Sequence, residues 1–457
     1  VTEKQAVAQE ELTALVDSGE RQKLRLLLND EHPADLAEYF REMDPPHRLS
    51  CFRLLDLDNA SAVLAELEPE NQCELLTSLG DIGVVPIIAR MSPDDAADVL
   101  SELPPEKATE IIEQMSDVEA KADLRQLLTF KDDTAGGIMS TDYLSLFSRM
   151  TVGEALVKLR EMYEDVEEDI YDIYVVDENE KLVGRVTVKE LLMVEPRAQV
   201  ESVMDEDVQR VKTYTDQEEA AEIVGRYDLL TLPVVDEEDK LCGIITADDV
   251  IDVLKEEAIE DIYQSSGIST GDPSEALTYN VSKAFTARLP WLLATLAIET
   301  GSATVITHYD AVIQQTVAAA SFMPLLSGVT GSVATQSTCI VIRGTSNRSQ
   351  LNLKLILRNI WHELKVGVLL GIFCGVFTYF ISLLVHSSRQ ELGLVVAISL
   401  VITMTFGVMV GTTMPMVFQK LGIDPAHASG PFITSILDVS TMTIYLTIVH
   451  YFLSHLI

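Results

Sequence analysis

Apolar and polar positions alternate over the first 130 residues in a pattern typical of short amphipathic helices. Each unit opens on an apolar residue, and these residues recur every twelve positions at Met43, Leu55, Leu67, Leu79, Met91, Leu103 and Met115. A Pro- or Asp-containing turn follows, then an apolar stripe with a spacing of three to four, as in DDAADVLSEL. Such short units cannot bury their apolar faces alone, so we predict an all-α superhelical domain at residues 1–130.

A second repeat has the period-two pattern of β-strands. IYVVDENEKLVGRVTVKELL from Ile173 and LPVVDEEDKLCGIITADDVI from Leu232 align at an offset of 59 residues. Each copy reads as a strand, an acidic turn, a second strand and the start of a helix. We predict a pair of α/β units, at residues 131–200 and 201–262.

The pattern changes again after Asp249. DVIDVLKEEAIEDIYQ predicts a charged amphipathic helix, which we expect to connect the α/β pair to the remainder over residues 249–283. Beyond it lie five apolar stretches, at about 287–307, 311–342, 364–386, 392–418 and 430–456. Each supplies the roughly 20 residues that a membrane span requires. Residues 284–457 are therefore predicted to form a bundle of five transmembrane helices.

Charge separates the same two regions. The first 280 residues carry 66 acidic and 24 basic residues, a net charge of −42, whereas the rest carry six and nine, a net charge of +3. An acidic soluble part repels phosphate and attracts cations, so we expect no nucleic acid partner. Solubility alone is the alternative explanation of the acidity.

Basic residues near the spans predict the orientation. One set of loops and flanks holds Lys283, Arg288, Arg343, Arg348, Lys354, Arg358, Lys365 and Lys420, and the opposite set holds only Arg389. By the positive-inside rule, the acidic part is cytoplasmic, the chain crosses the cytoplasmic membrane several times, and the C-terminus is outside.

The sequence shows no motif for a cysteine-based zinc or disulfide site and no motif for catalysis. The five cysteines lie far apart and show no spacing typical of zinc sites or of a disulfide framework, which fits a reducing compartment. We find no nucleophile with its base, no phosphate loop and no metal-hydrolase motif, and we do not expect an enzyme.

The fifth span contains one carboxylate, Asp438, which costs roughly 2.5–3.5 kcal/mol at the centre of a membrane helix. Thr434, Asp438, Thr441 and Tyr445 follow the spacing of one helical face, and Gly430 precedes Pro431 at the helix start. A stripe of one acid and several hydroxyls suits a cation path. A structural carboxylate bonded to a neighbouring helix is the alternative.

The second span supplies small and polar residues at membrane depth. PLLSGVTGSVATQS, from Pro324, contains Gly331, Ser332 and Gln336, which we predict to line a pore with Thr441. Helix packing alone would also explain the small residues. It is the preferred explanation for Thr403, Gly407 and Gly411 of the fourth span.

Specific motifs in every region resemble the MgtE family of magnesium channels. They are HPADLAE from His32, SPDDAADVL from Ser92, DTAGGIM from Asp133, YDLLTLPVVDEE from Tyr227, DDVIDVLKEEAIEDIY from Asp248, and LGIDPA with GPFITSILDV from Leu421. The resemblance implies a multi-domain membrane protein with a superhelical N domain, a pair of cystathionine-β-synthase (CBS) units, a connecting helix and five spans. It also implies a homodimer in the lipid bilayer, without an obligatory protein partner.

In that family an aspartate that matches Asp438 forms the ion site of a pore between two subunits, and Mg²⁺ would enter hydrated, as its reluctance to lose water favours. From the stripe and the helix start of this chain, we add Thr434 and Gly430 to the predicted ion site. The resemblance also implies regulatory Mg²⁺ that holds the pore shut. The matching acids are Asp94, Asp98, Asp216, Glu218, Asp228, Asp249, Asp252, Glu257, Glu260 and Asp261. Two carboxylates about 5 Å apart repel by about 3 kcal/mol at an effective dielectric near 20, so such an interface separates when no cation intervenes.

Three questions remain open from the sequence. CBS pairs often bind adenosine nucleotides such as ATP through a Thr followed three residues later by Asp; here the candidates are Thr187 with Glu190, and Thr246 with Asp249. Family members commonly have Gly-Asn-x-Gly-x-Gln where this chain has GSVATQ from Gly331, and Asn where it has Gly430. The alternatives to a Mg²⁺ channel are a transporter selective for another divalent cation such as Co²⁺, a coupled exchanger, and a membrane-anchored sensor that moves no ion.

Overall fold

The computed structural model describes residues 12, 15–16, 20–162, 172–268, 281–345, 353–385, 390–421, 423, 425 and 430–456. The chain forms two compact units, Val1–Leu254 and Lys255–Ile457. The first contains the helical repeat and the α/β pair, and the second contains the apolar spans.

Short helices fill the N-terminal part of the first unit. They are α1 (Arg21–Leu28), α2 (Pro33–Glu42), α3 (Pro45–Phe52), α4 (Leu57–Ala65), α5 (Pro69–Leu79), α6 (Asp81–Ile88), α7 (Pro93–Ser101), α8 (Pro105–Gln114) and α9 (Val118–Leu127). From α2 to α8 each helix begins twelve residues after the previous one, which confirms the predicted repeat. Proline occupies the first turn of five of these helices, where its missing N–H costs no hydrogen bond.

The α/β pair follows the 59-residue offset closely. Its elements are β1 (Ser145–Phe147), α10 (Val152–Met162), β2 (Asp172–Val176), β3 (Leu182–Thr187), α11 (Val188–Leu192), a 3₁₀ turn (Val200–Ser202), β4 (Val211–Lys212), α12 (Gln217–Tyr227), β5 (Thr231–Val235) and β6 (Leu241–Thr246). In each sheet the first strand is parallel to the second, which is antiparallel to the third. Val175 pairs with Gly184 in one sheet, and Val234 pairs with Gly243 in the other.

The parts of the first unit are joined by hydrogen bonds and by a common core. The Leu182 N–H donates to the Asp239 carbonyl at 3.0 Å, and the Leu241 N–H donates to the Glu180 carbonyl at 3.3 Å, so the two α/β units meet with pseudo-twofold symmetry. Apolar residues of the helical repeat and of the second α/β unit, such as Leu100 and Val234, belong to one buried cluster. The helical repeat therefore packs on the second α/β unit.

Helix α13 (Ala247–Ser265) follows β6. It ends in a Schellman motif: Gly267 has φ +75°, its N–H donates to the Gln264 carbonyl, and the Ile268 N–H donates to the Tyr263 carbonyl, both at 2.9 Å. The prediction of one connecting helix over 249–283 is therefore wrong beyond Ser265. Residues 269–280 lie outside the described part of the chain.

The second unit contains helices α14 (Val281–His308), α15 (Asp310–Gln315), α16 (Val317–Ala320), α17 (Met323–Thr345), α18 (Leu353–Val385), α19 (Gln390–Lys420) and α20 (Gly430–Leu456). Five segments of the described chain are long and apolar enough to cross a membrane: 284–308, 317–342, 357–384, 391–420 and 430–452. The second span begins at residue 317 and not at the predicted 311, because Thr316, with φ −138° and ψ 71°, interrupts the helix between α15 and α16. In the polar α15, Gln314 donates to Asp310 at 2.6 Å.

Small residues determine how closely these helices approach. A Cβ on Gly407 of α19 would lie 2.9 Å from Thr330 Cγ2 of α17, and a Cβ on Gly411 would overlap the Ala334 backbone. Packing is therefore the role of these two glycines, as predicted. Helix α20 packs against α14, α17 and α19, which places the mid-span acid of α20 among several helices.

Candidate functional site

A cavity of about 820 Å³ lies between α17 and α20. Its lining residues are Ser327, Gly328, Gly331, Ser332, Thr335, Gln336, Cys339, Ile340, Thr434 and Asp438. Five of them were predicted from the sequence, and they come together because α17 and α20 pack side by side. One carboxylate, one amide and several hydroxyls therefore face a space much larger than a single water molecule.

Asp438 is partly buried at the wall of this cavity. The Ser327 hydroxyl of α17 donates a hydrogen bond to Asp438 Oδ1. The carboxyl group of Glu299, on α14, also lies within hydrogen-bonding reach of the Asp438 carboxyl group. Asp438 therefore has one hydroxyl donor and one acidic neighbour, contributed by two different helices.

The polar stripe predicted on α20 does not stay on one surface. Thr434 lines the cavity, and its hydroxyl donates to the Pro431 carbonyl at 3.1 Å. Thr441 and Tyr445 are fully buried instead, and the Tyr445 hydroxyl donates to the Ala319 carbonyl at 2.8 Å. Thr441 is thus placed in the helix bundle and outside the cavity lining, because the side of α20 it occupies is covered by neighbouring helices.

Gly430 begins α20, close to one end of the cavity. A Cβ at this position would lie 3.7 Å from Thr335 Cγ2 of α17, which is ordinary van der Waals contact. The residue is absent from the cavity lining. Its backbone carbonyl is the group that it could offer to an ion at that end.

A second concentration of carboxylates lies in the first unit. We call Glu66, Asp94, Asp95, Asp248 and Asp249 the acidic cluster, since these side chains interact electrostatically with one another. Reduced solvation, followed by repulsion from Asp94, raises the pKa of the exposed Asp95 to about 6 and the pKa of the partly buried Asp249 to about 7. Burial also raises the pKa of Asp94. The cluster therefore holds its negative charge at a cost.

The hydrogen bonds of the cluster leave one oxygen unsatisfied. Ser92 and Ser140 lie within hydrogen-bonding reach of the Asp94 carboxylate, yet Asp94 Oδ1 is buried and has no partner among the described residues. A buried unpaired carboxylate oxygen is costly, and a cation would satisfy it. Carboxylate oxygens are hard donors that suit Mg²⁺, which one or two carboxylates can hold together with its own waters.

The other predicted regulatory acids lie outside this cluster. Asp216 caps α12, where it accepts from the Glu218 N–H at 2.9 Å, and Asp228 ends the same helix in the left-handed conformation with φ 52°. The α13 acids Asp252, Glu257, Glu260 and Asp261, and Asp98 of α7, are exposed or partly exposed. Within the described residues, no three acidic, His or Cys side chains converge tightly enough to ligate one metal ion.

The nucleotide candidates act as helix caps in this structure. Thr187 and Glu190 form a reciprocal capping box at the start of α11, in which the Thr187 N–H donates to Glu190 at 2.7 Å. The Thr246 hydroxyl donates to Asp249 Oδ2 at 2.5 Å, at the start of α13. Asp249 thus belongs both to a cap and to the acidic cluster.

Several members of these sites were not predicted from the sequence. Ser327, Thr335 and Cys339 recur on α17 at spacings of eight and four residues, so a helical projection through Gly331 would have found them. Asp95 and Asp248 each adjoin a predicted acid in an Asp-Asp pair. No sequence pattern around Glu299 indicates that it approaches Asp438, because this approach depends on the packing of α14 against α20.

Comparisons with known proteins agree with this division of the chain. The MgtE family model, described as a divalent cation transporter, matches residues 323–448; the MgtE intracellular N domain matches 31–133, and the CBS domain matches 135–196 and 200–256. The magnesium transporter MgtE of Bacillus subtilis is 36% identical over 97% of this chain and 96% of its own length. The magnesium transporter MgtE of Thermus thermophilus is 34% identical over 98% of each.

Two solved structures resemble the N-terminal part. The crystal structure of the cytosolic domain of the Mg²⁺ channel MgtE in complex with ATP has a TM-score of 0.51 and 37% identity, and covers 54% of this chain and 99% of its own. The soluble part of a magnesium transporter has a TM-score of 0.50 and 27% identity, and covers 56% of this chain and 99% of its own.

Proposed function

The chain belongs to the MgtE family of divalent cation transporters, and from this premise we propose that it is a Mg²⁺ channel that cytosolic Mg²⁺ closes. It is a multi-pass membrane protein with five candidate spans. The observation that carries the proposal is the cavity at Asp438, which presents a mid-span carboxylate to an open space between two helices.

The size and chemistry of the cavity suit a hydrated ion. Six waters occupy about 200 Å³, at about 30 Å³ each, so the 820 Å³ cavity accommodates Mg²⁺ with its water shell. Hydroxyl, amide and carboxylate oxygens can accept hydrogen bonds from these waters, and the Asp438 charge attracts the ion. An inside-negative potential of 100 mV supplies about 4.6 kcal/mol to a divalent ion that crosses fully, so transport needs no ATP hydrolysis.

Closure would depend on the acidic cluster. Without a cation, the buried Asp94 carboxylate and the partly buried Asp249 carboxylate repel each other and favour separation of α7 from α13. Mg²⁺ bound there would offset that repulsion and hold the two helices together. The exposed acids of α13 would contribute further ligands once another part of the assembly approaches them.

The assembly and its surroundings follow from the same proposal. The chain would function as a homodimer in the cytoplasmic membrane, with its acidic domains cytoplasmic and its C-terminus outside, as the basic loops favour. An adenosine nucleotide such as ATP would bind at the CBS pair, supported by the ATP complex of the similar cytosolic domain. Binding at Thr187 or Thr246 would require their hydroxyls to exchange the present capping bonds for the nucleotide.

Mg²⁺ uptake tests the proposal directly. A magnesium-auxotrophic strain that expresses the chain should grow and take up Mg²⁺, and Asp438→Asn should lower uptake at least about 100-fold, because it removes the pore charge with little change of shape. Co²⁺ and Ca²⁺ as competitors would define selectivity. Full uptake by Asp438→Asn, at equal amounts in the membrane, would contradict the role of Asp438 in the ion path, and a wild-type chain that moves no Mg²⁺ would favour a sensor.

A further inference from the structure

The acidic side chains of the five candidate spans are few, and two of them meet. Glu363 and Glu391 lie near the ends of their spans, whereas Glu299 and Asp438 lie deep within theirs. The carboxyl groups of Glu299 and Asp438 are within hydrogen-bonding reach of one another. Two acids that meet at membrane depth are costly, and ionisable residues there mark ion pathways.

The packing of two helices produces this meeting. Helix α14 packs against α20, and a Cβ on Gly301 would lie 3.2 Å from Val439 Cγ2. Gly301 is two residues from Glu299, and Val439 is next to Asp438, so this close approach holds both acids at one level of the bundle. A bulkier residue than glycine at 301 would push the two helices apart.

The surroundings of the pair contain no opposite charge among the described residues of the spans. Ser327 supplies Asp438 with a neutral hydroxyl donor. The basic residues of the described spans are Arg288, Arg358, Lys365 and Lys420, all within about two turns of a span end. A cation in the cavity is therefore the charge available to balance the two carboxylates.

We propose that Glu299 is a positioning and charge-setting residue of the Asp438 ion site, which selects divalent over monovalent cations by adding a second carboxylate behind the first. Glu299 is absent from the cavity lining, so it acts on the ion through Asp438. Two negative charges at one site attract a divalent ion more strongly than they attract K⁺ or Na⁺, since the Coulomb energy scales with the charge of the ion. This inference rests on the proposed function, because it assumes that Asp438 holds the transported ion.

The test uses the full chain in proteoliposomes, with Mg²⁺ influx measured against Mg²⁺ concentration and against a K⁺ background. Glu299→Gln keeps the shape and removes the charge; it should raise the half-saturating Mg²⁺ concentration about tenfold and reduce the Mg²⁺ to K⁺ flux ratio by a similar factor. Glu299→Asp keeps the charge and should stay within about twofold of the wild type. A purely structural role would change the amount of folded channel and leave both ratios unchanged.

Matched controls separate the possible results. Glu391→Gln removes one exposed charge at the end of α19 and should leave both ratios unchanged. If Glu299→Gln gives no folded protein, Glu299→Ser is the second neutral variant. The inference would be overturned if a neutral variant kept the wild-type Mg²⁺ affinity and flux ratio. It would also be overturned if Glu299→Asp changed both quantities as much as Glu299→Gln does. Asp438→Asn without effect would instead overturn the proposed function, which keeps the two failures distinct.

Discussion

The Asp438 cavity and the acidic cluster both use carboxylates, but they surround them differently. Asp438 accepts a hydrogen bond from Ser327 and faces an open cavity of small and hydroxyl-bearing residues. Asp94 is buried and Asp249 is partly buried beside other acids, and one Asp94 oxygen has no partner among the described residues. The first arrangement suits an ion that binds and leaves, whereas the second suits an ion whose binding changes the conformation.

The difference shows how the environment assigns a role to one kind of side chain. Asp438 is partly buried but faces open space, so a cation bound there can keep its waters and leave again, even with Glu299 beside the carboxylate. A buried carboxylate among like charges gains much more from a cation, since that ion removes both repulsion and an unsatisfied oxygen. Variants of each site should therefore differ in their effects on transport, closure and stability.

The largest effect is expected from neutralising the acidic cluster. Asp94→Asn together with Asp249→Asn removes both the repulsion and the candidate Mg²⁺ ligands, so the ratio of flux without internal Mg²⁺ to flux at saturating internal Mg²⁺ should fall about 100-fold, a change of about 3 kcal/mol. Flux from proteoliposomes with and without Mg²⁺ on the domain side measures this. Glu391→Gln is the control, and a full response to Mg²⁺ in the double variant would show that the cluster is no switch.

The next largest effect is expected on the thermal stability of the first unit in metal-free buffer. Asp94→Asn replaces a buried charge by a neutral group of the same shape and should stabilise the first unit by about 2 kcal/mol in metal-free buffer. Its melting temperature should rise by about 4 °C, and Mg²⁺ should then add less stability than in the wild type. Asp438→Asn provides the contrast, because it should leave this transition unchanged. A lower melting temperature for Asp94→Asn would mean that its charge is already compensated.

Stability of the metal-free chain should also depend on pH. The folded-state pKa values of Asp95, about 6, and Asp249, about 7, lie above the ordinary value near 4. The folded state therefore holds more protons, and its stability, complete below about pH 4, falls as pH rises through about 7. Thermal unfolding at pH 5.5 and pH 8 would show this, and Asp249→Asn should flatten the profile. A stability that rises with pH in the metal-free wild type would refute the assignment.

The smallest effect is expected at Ser327. Ser327→Ala removes one hydroxyl donor from Asp438 and should change the half-saturating Mg²⁺ concentration about threefold to tenfold, the effect of one hydrogen bond of about 1 kcal/mol. Internal Mg²⁺ should still close the variant. Ser440→Ala is the matched control, because that hydroxyl of α20 is absent from the cavity lining and donates to the Ile436 carbonyl within its own helix at 2.9 Å. If both changes shifted the half-saturating Mg²⁺ concentration equally, Ser327 would have no specific role at the ion site.

Much of the fold was predictable because it depends on local periodicity. The twelve-residue repeat reappears in the starts of α2 to α8, and the 59-residue offset reappears in the register of the two sheets. Both patterns are determined by side chains a few residues apart. The prediction of a continuous connecting helix was wrong because Gly267, which takes the left-handed conformation, ends α13 early.

The candidate sites were predictable only in part. Asp438, Thr434 and Gly331 could be identified because a charge and small residues are unusual at membrane depth. Thr441 follows the same helical spacing as Asp438, yet the structure buries it. Helical spacing ranks positions around one axis, but neighbouring helices decide which part of that surface stays open.

The sequence by itself determined the order of the domains, the number of apolar spans and the presence of an acid deep within the last of them. These are properties of composition and short-range periodicity, and they need no knowledge of neighbours. Packing between remote segments brings Ser327 and Glu299 to Asp438, and it brings Asp94 and Asp249 into one acidic cluster. The physical reason is that electrostatic interaction depends on distance and burial, and packing between helices remote in sequence determines both.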